Sequence, residues 1–403
     1  MTDLTINWNN LAKDDLAWET LLPAPGTPLT PDECKSLALA VGLRGAGHVS
    51  PNPQVGCVIT SADYRFVAAG AHMRFGGPHA EVEAIGAAAG LSVVGGTAWV
   101  TLEPCAHHGK TPPCAELLRN KKLARVVIGR LDPNPLVAGR GLKLLQECGI
   151  AVEVAAQGDP WELACGELAE AFLYPVIHQR IFVGLKVATS ADGVSARPGD
   201  RRIWITGERA RDYGHFLRMR YDAILVGPRT VVADNPTLNV RPARLHGRTP
   251  VRVVFDPEGT VLAASKTRSF NVFSYQPQTT VVFLGQNVRD ASVEHLDKSV
   301  RFIRLELDQN GHFRWSDVMS CLSELGVRSL LVEGGPGVHQ SALEAGVVSR
   351  LHWFRAPVVF NDASALHFAG GKSLADLNLE KVQTITLEAD QLCEGLVKDI
   401  GFA

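Results

Sequence analysis

Short apolar segments alternate with longer amphipathic segments along most of this chain, and the alternation occurs in two successive runs. The first run begins at Pro31 and ends near Ala155, and the second begins at Arg180. Because strands that alternate with helices form mainly parallel sheets covered by helices, each run predicts an α/β domain. A length of 403 residues exceeds one ordinary hydrophobic core, which agrees with two domains.

The segments around these runs set the predicted domain limits. Residues 1–29 end in a Pro-rich stretch and are predicted to be an N-terminal extension, to which we assign no chemistry. Thr30 is a suitable N-cap for a helix over Pro31–Gly42, and a further helix is predicted over Trp161–Phe172. The first domain is predicted to be a three-layer α/β domain over residues 30–175, and the second domain to span residues 176–403.

Composition excludes several classes of function. The formal net charge of −2 and the aromatic content of 7% give no general attraction for nucleic acid or an anionic membrane. The apolar runs are far shorter than the roughly 20 residues of a membrane-spanning helix, and no basic start followed by an apolar block opens the chain. The sequence therefore predicts a cytoplasmic protein that binds neither nucleic acid nor membrane.

The eight cysteines are sparse and irregularly spaced, which does not suggest a disulfide scaffold. Two of them belong to the motif described next. Most of the others are predicted to be buried thiols: Cys34, Cys57, Cys148, Cys165, Cys321 and Cys393.

Three residues of the first domain form a donor set typical of catalytic zinc. His79, Cys105 and Cys114 supply one imidazole and two thiolates, which leaves the fourth position of a tetrahedral ion open for water. Water activated in this way can attack an aromatic carbon that carries an amino group. Glu81, at a predicted helix start, is expected to carry the proton to the leaving ammonia without binding the metal.

The interval between the two cysteines is wider than the tight Cys-x-x-Cys of zinc deaminases, because eight residues separate Cys105 from Cys114. The interval contains groups that suit a phosphate on the substrate: His107, His108, Lys110 and Thr111. Any one histidine or cysteine alone would be explained as a core residue. A purely structural zinc site is the intermediate alternative, but it lacks a fourth protein ligand at suitable spacing.

The second domain has a weaker signal. In Leu330–Gly337 a buried strand runs into glycines and then a helix, which suits the approach of a phosphate to the helix N-terminus. A plain strand-turn-helix would explain this segment about as well. Two further segments, 186–193 and 227–236, place polar residues at strand ends, where open α/β sheets bind ligands.

Together these motifs resemble the bifunctional riboflavin-biosynthesis deaminase/reductase family. The stretches Pro78–Val82 and Thr101–Cys114 are specific to it among zinc deaminases, and Pro51–Cys57 and Asp132–Pro135 agree with it. The resemblance covers most of the chain, from about Leu37 to the C-terminal region. It implies a cytidine-deaminase-like three-layer α/β/α domain followed by a dihydrofolate-reductase-like α/β domain.

The resemblance also implies two reactions on a small phosphoribosyl pyrimidine. The first is zinc-dependent deamination of diamino-hydroxy-(phosphoribosylamino)pyrimidinone, and the second is reduction of the ribosyl to a ribityl side chain by NADPH. Asn52 and His72 would hold the pyrimidine, and His107, Lys110 and Thr111 the ribose phosphate. The alternative for His72 is a surface histidine in a strand-to-loop turn. The family further implies a homo-oligomer.

For the reductase, the resemblance implies two sets of contacts. The cofactor set is Ala188, Trp204, Thr230, Asp234, Gly335, Pro336 and Gly337. The substrate set is Lys186, Asp192, Arg218, Leu238, Arg241 and Glu333. Arg218 and Arg241 make physical sense as a phosphate clamp, because guanidinium groups bind phosphate bidentately. Lys186 and Asp192 match positions near the chemistry, and which of them moves a proton stays open.

Some positions depart from the family pattern, namely Arg202, Pro257, Ser349 and Asn361-Asp362. They leave open a deaminase whose reductase half is degenerate, because two ligand contacts and the late sheet edge would be weakened. Two rival functions also remain. A nucleic-acid deaminase is disfavoured by the charge and aromatic content, and a non-catalytic zinc-stabilised scaffold would have no use for Glu81.

Overall fold

The computed structural model describes residues 22–106, 112–134, 138–197, 204–241, 249–274, 279–288, 296, 298–371 and 374–398. The chain divides into two compact units, one up to Arg180 and the other from Ile181. Within the described ranges, no helix has the length and apolar character needed to cross a membrane. The domain limits at 29/30 and 175/176 stay predictions.

The first unit is built on one five-stranded sheet in the order β2-β1-β3-β4-β5. Strand β1 is antiparallel to β2 and β3, whereas β3, β4 and β5 are parallel. Every residue of β1, β2 and β3 is buried, as expected when helices cover both faces of a sheet. Its elements are α1 Pro31–Gly42, β1 Gly56–Thr60, β2 Phe66–Ala71, α2 Ala80–Ala87, β3 Thr97–Val100, α3 Cys114–Asn120, β4 Arg125–Ile128, α4 Arg140–Glu147, β5 Ala151–Val154, α5 Pro160–Leu168 and α6 Glu170–His178.

The predicted start of α1 is confirmed. Thr30 accepts a hydrogen bond from the backbone N–H of Glu33, and the Glu33 carboxylate accepts one from the backbone N–H of Thr30. This capping box satisfies two of the donors that a helix N-terminus leaves free. The described end of the predicted extension runs beside β2, since the N–H of Gly26 donates to the carbonyl of Phe66.

One helix prediction is wrong in this unit. The sequence predicts a single helix over 161–172, but the chain forms α5 and then α6, which extends to His178. The two are separated at Ala169, whose φ of −102° and ψ of 11° leave the helical range. An apolar pattern with helical spacing continues across such a one-residue break, so the break cannot be seen from the sequence.

The second unit is built on a nine-stranded sheet in the order β11-β10-β9-β8-β12-β6-β13-β16-β15. The strands from β11 to β13 are parallel to their neighbours, and β16 and β15 add an antiparallel edge. Its elements are β6 Phe182–Thr189, β7 Val194–Ala196, α7 Glu208–Arg220, β8 Ala223–Val226, α8 Pro228–Asp234, β9 Val251–Asp256, α9 Thr260–Ala264, α10 Asn271–Ser274, β10 Thr280–Gly285, β11 Val300–Leu305, α11 Trp315–Glu324, β12 Ser329–Val332, α12 Pro336–Glu344, β13 Arg350–Arg355, β14 Leu366–His367, β15 Leu379–Leu387 and β16 Asp390–Val397.

Both faces of this sheet are buried near its centre. Ala223 and Leu225 of β8 belong to one apolar cluster, and Ile224 and Val226 belong to another on the opposite face. This explains why the strand is a continuous apolar run instead of an alternating one. Since β6, β8 and β12 are parallel neighbours, their carboxyl ends meet at one edge of the sheet, and that edge holds the second candidate site.

The family pattern implies a late sheet edge, but the apolar periodicity did not locate its strands β13, β15 and β16. Ser349, one of the departures from the family pattern, helps to build it: its hydroxyl accepts a hydrogen bond from the backbone N–H of Val183 at 3.2 Å. Its own backbone N–H donates to the carbonyl of Val183, and its carbonyl accepts from Val397. The edge forms with the serine in place.

Candidate functional site

The first candidate site lies where the ends of three elements meet. His79 is the N-cap residue of α2, and Glu81 lies in the first turn of the same helix. Cys105 follows β3, and Cys114 is the first residue of α3. The α3 backbone is tied directly to this segment, because the N–H of Ala115 donates to the carbonyl of Cys105 at 3.2 Å.

The structure brings the three predicted donors together. Nδ1 of His79 lies 3.5 Å from Sγ of Cys105 and 3.3 Å from Sγ of Cys114. The three atoms all lie within 4.8 Å of one another. One imidazole nitrogen and two sulfurs at this separation fit a tetrahedral zinc that keeps one position for a non-protein ligand.

The electrostatics of the cluster favour a thiolate at Cys105. A hydrogen bond from the Cys114 thiol, helped by His79 and by the backbone N–H of Cys114, outweighs burial and lowers the pKa of Cys105 to about 4. The bond to Cys105 and burial raise the pKa of Cys114. Glu81 is only 3% exposed, and burial together with the charge of Cys105 raises its pKa to about 7.

Asn52 and His72 form a pair beside the cluster. Nδ2 of Asn52 lies 3.1 Å from Nε2 of His72, and Nδ1 of His72 lies 2.8 Å from the carbonyl of Pro78. Because that carbonyl can only accept, the His72 Nδ1–H donates to it and Nε2 accepts from the amide. His72 is only 3% exposed and its ring lies 5.6 Å from that of His79, so the surface alternative for His72 is wrong. The predicted phosphate ligands His107, Lys110 and Thr111 lie outside the described residues.

The second candidate site lies at the carboxyl ends of β6, β8 and β12. Arg218 of α7 donates to both carboxylate oxygens of Glu333, with Nε and Nη2 each at 2.7 Å. The Arg218 and Glu333 side chains are 17% and 8% exposed. Lys186 of β6 is close enough to interact electrostatically with this pair. The structure therefore assembles three of the six predicted substrate contacts.

Burial and neighbouring charges shift the pKa values of Glu333 and Lys186 in opposite directions. Burial disfavours the charged form of Glu333, but the Arg218 guanidinium outweighs it and lowers the pKa of the carboxyl to about 2. Burial lowers the pKa of the Lys186 ammonium, although Glu333 acts in the opposite direction. The pair is therefore ionised in the folded protein at neutral pH.

Two residues that sequence reasoning missed support this site. Nδ1 of His215 lies 3.1 Å from the carbonyl of Asn239, which also accepts from Nη1 of Arg218 at 3.3 Å. Burial, followed by the charges of Arg218 and Arg241, lowers the pKa of His215 to about 4, so the ring is neutral and donates from Nδ1. The available signal was the spacing of His215 and Arg218, three residues apart on one helix face.

Asn239 lies on the loop that presents two further predicted contacts. Leu238 has a φ of 50° and a side chain that is only 2% exposed in the apolar core, so only its backbone can face a ligand. Arg241 is exposed and donates to the Thr237 hydroxyl at 3.3 Å. The two bonds to the Asn239 carbonyl therefore hold the loop that carries Leu238 and Arg241.

The predicted cofactor residues converge in part. A Cβ on Gly335 would lie 3.3 Å from Oγ1 of Thr230, so the turn before α12 approaches α8 closely. Gly335 has a φ of 75°, and a Cβ on Gly334 would lie 2.7 Å from Val226. Glycine is needed at 335 for the positive φ and at 334 for the close approach to Val226.

The remaining cofactor residues lie on neighbouring elements. Pro336 and Gly337 open α12, Asp234 ends α8 and Ala188 lies on β6. The Trp204 ring is 54% exposed, with the Arg211 guanidinium 4.8 Å from its centroid.

Asp192 is engaged elsewhere. Its carboxylate accepts from the Ser190 hydroxyl at 2.5 Å and from the backbone N–H groups of Phe360 and Asn361 at 3.2 and 2.9 Å. These bonds fix the loop after β13 to the β6–β7 turn. The departure at Asn361 falls in that loop, and the one at Arg202 lies outside the described residues.

Comparisons with known proteins follow the same division into two halves. Residues 31–130 match the model of the cytidine and deoxycytidylate deaminase zinc-binding region, and residues 181–392 match that of the RibD C-terminal domain. The curated riboflavin biosynthesis protein RibD of Bacillus amyloliquefaciens is 37% identical over 342 residues, which cover 84% of this chain and 88% of that protein. RibD of Escherichia coli K12 is 35% identical over 373 residues, which cover 89% and 97%.

Two solved structures from this family are also similar to most of the chain. The diaminohydroxyphosphoribosylaminopyrimidine deaminase/5-amino-6-(5-phosphoribosylamino)uracil reductase of Thermotoga maritima is 34% identical, with a TM-score of 0.74 over 89% of this chain and 96% of that one. RibD of Acinetobacter baumannii is 31% identical, with a TM-score of 0.71 over 90% and 97%.

Proposed function

This chain belongs to the RibD family of bifunctional riboflavin-biosynthesis enzymes, and from that premise we propose which of its residues perform the two steps. The enzyme deaminates 2,5-diamino-6-(5-phosphoribosylamino)pyrimidin-4(3H)-one with zinc and then reduces the ribosyl side chain with NADPH. The observation that supports the assignment most strongly is the convergence of His79, Cys105 and Cys114 beside the buried carboxyl of Glu81.

In the deaminase, His79, Cys105 and Cys114 would hold the zinc, which supplies a Lewis acid for the activation of water. Glu81 takes the proton from the attacking water on a carboxylate oxygen and delivers it to the departing amino nitrogen. Since the carboxyl is buried, bulk water does not compete for that proton.

Asn52 and His72 orient the pyrimidine. His72 accepts the Asn52 amide N–H, which directs the amide oxygen away from the imidazole and leaves it available to a ring N–H or an amino group. His107, Lys110 and Thr111 are proposed to bind the ribose phosphate, and this assignment rests on the sequence alone.

In the reductase, Arg241 and the Nη1–H and Nη2–H groups that Arg218 does not use for Glu333 and Asn239 bind the substrate phosphate. The backbone of Leu238 and the Glu333 side chain contact the substrate. Reduction adds a hydride from NADPH and one proton. Lys186 is better placed than Asp192 to provide that proton, because the Asp192 carboxylate already accepts three hydrogen bonds, one from its own turn and two from the loop after β13.

The cofactor assignment rests on the edge formed by β6, β8 and β12. NADPH supplies the hydride when bound. The turn at Gly335–Gly337 leads into α12, whose free N–H groups suit a pyrophosphate. Thr230 lies beside that turn, and Ala188, Trp204 and Asp234 are proposed to complete the contacts.

A coupled assay tests both assignments. The purified chain is supplied with the diaminopyrimidinone ribosyl phosphate, with and without NADPH, and products are identified by mass. We expect loss of one amino group, followed by an NADPH-dependent gain of two hydrogens. Deamination without reduction would support a degenerate reductase half, and no reaction would support the scaffold hypothesis.

Two properties stay proposals on the basis of the family alone. We propose that the enzyme is cytoplasmic and assembles as a homo-oligomer. Sedimentation velocity of the purified chain over a range of concentrations tests the second proposal, and a monomer at all concentrations would contradict it.

A further inference from the structure

Glu103 belongs to the stretch that identifies the family, yet the proposed mechanism gives it no role. It lies two residues before the proposed zinc ligand Cys105, and it is only 5% exposed. No cationic side chain is shown as its partner among the described residues. A buried carboxylate needs hydrogen-bond donors, and here the backbone provides them.

The Glu103 carboxylate accepts four backbone N–H groups. One oxygen, Oε2, accepts from Asp132 at 3.3 Å and from Gly139 at 3.1 Å. The other, Oε1, accepts from Gly141 at 3.0 Å and from Leu142 at 3.2 Å. The first pair of donors belongs to the loop after β4, and the second to the first turn of α4. One side chain therefore fastens both ends of the 132–142 connection.

The same helix end touches the segment that holds the cysteine. A Cβ on Gly141 would lie 1.9 Å from the carbonyl oxygen of Pro104, so α4 rests directly on the residue before Cys105. The backbone N–H of Glu103 donates to the carbonyl of Arg130 at 2.9 Å. On its other side, Cys105 is held by α3, because the N–H of Cys114 donates to Sγ of Cys105 at 3.4 Å.

From this geometry we infer that Glu103 is a positioning residue of the deaminase, which fixes Cys105 by fastening Asp132 and the start of α4 beside Pro104. The inference rests on the proposed function, since it assumes that Cys105 binds zinc. A negative charge at the start of a helix and four backbone donors hold the carboxylate in one orientation. Mutation of a group that orients a metal ligand commonly lowers metal affinity or activity by about 10–100-fold.

Glu103→Gln tests the inference, because glutamine keeps the shape but turns one acceptor oxygen into an NH₂ group facing two backbone donors. We expect zinc affinity, measured by competition with a chromophoric chelator, to fall about 10–100-fold. The Co²⁺-substituted variant should show a shifted or weakened thiolate-to-metal absorption band. The deaminase kcat per bound zinc should fall, while NADPH-dependent reduction by the same chain should stay at the wild-type rate.

Asp159→Ala is the matched control in the same unit. It removes a carboxylate that accepts the backbone N–H of Trp161 at 2.8 Å and caps α5, a helix that carries none of the proposed zinc ligands. It should lower the melting temperature and leave zinc affinity, the Co²⁺ band and kcat unchanged. If Glu103→Gln does not fold, Glu103→Asp provides the same comparison, since it keeps the charge but is too short to reach both pairs of donors.

The outcomes are distinguishable. If the wild type deaminates and Glu103→Gln keeps its zinc affinity, Co²⁺ band and kcat within about twofold while only its stability falls, Glu103 is structural and the inference is wrong. If the wild type itself neither binds zinc nor deaminates, the proposed function fails before the role of Glu103 is reached.

Discussion

The two candidate sites of this chain are built in different ways. The deaminase site takes its proposed ligands and proton carrier from residues 79–114, and they meet where the ends of α2, β3 and α3 come together. The reductase site joins residues as distant in sequence as Lys186 and Glu333, and it exists only because β6, β8 and β12 are parallel neighbours. The first site is defined by its donor chemistry and the second by the topology of a sheet.

The comparison can be tested because both activities reside in one chain. A change in one site should leave the other activity intact, so each half serves as a folding control for the other.

Glu81→Gln should abolish deamination, because it removes the proton carrier and leaves the three metal donors. We expect kcat to fall by about 10²–10⁴-fold. Zinc content, measured by elemental analysis, and NADPH oxidation on the aminouracil substrate should match the wild type. Loss of zinc from this variant would show that Glu81 binds the metal.

Arg218→Met should damage the reductase strongly, because it leaves the Glu333 carboxylate buried without its partner. Breaking a buried pair in this way costs about 3–5 kcal/mol. The free energy of unfolding of the reductase unit, measured with denaturant, and the rate of reduction should both fall. The rate of deamination should be unchanged. A stability equal to that of the wild type would mean that solvent reaches Glu333.

The same pair predicts a pH dependence. The folded-state pKa of Glu333, about 2, lies below the ordinary value of 4.5. A carboxyl whose pKa is lowered by folding stabilises the fold above the unfolded-state pKa, and this stabilisation is lost as the pH falls through the folded value. The melting temperature of the reductase unit should therefore fall between about pH 4.5 and pH 2, and Glu333→Gln should reduce this slope. Parallel pH profiles for the two proteins would contradict the ion pair.

His215→Leu should raise the reductase KM for its substrate by about tenfold, roughly the value of one hydrogen bond. The donor to the Asn239 carbonyl is lost, and the loop carrying Leu238 and Arg241 is held less firmly. His215→Asn, whose amide can replace the Nδ1–H, should restore most of the affinity. Equal KM values for the two variants would exclude this positioning role.

Thr30→Ala should have the smallest effect. It removes the capping box of α1 and should destabilise the first unit by about 1 kcal/mol. Both activities should stay unchanged, because α1 contributes no proposed ligand. A reduced deaminase kcat would show that α1 influences the site.

Sequence patterns predicted the α/β class, the two successive runs of alternating strands and helices, and the zinc donor set. They succeeded because apolar periodicity follows burial, and because zinc accepts few kinds of ligand. Of the six cysteines predicted to be mostly buried thiols, Cys34, Cys57, Cys165 and Cys393 are buried. The break at Ala169 was not visible because the apolar pattern continues across it. The edge formed by β13, β16 and β15 was not visible because it joins the sheet through the pairing of β13 with β6, which is distant in sequence.

The sequence alone determined which chemistry this protein has, because His79, Glu81, Cys105 and Cys114 are informative through their identity and order. Only the tertiary structure decided which polar residues act together. It pairs Arg218 with Glu333, commits Asp192 to the loop after β13, and gives Glu103 four backbone donors. The physical reason is that a buried charge must find its partners in space, and the spacing of residues along the chain does not specify that pairing.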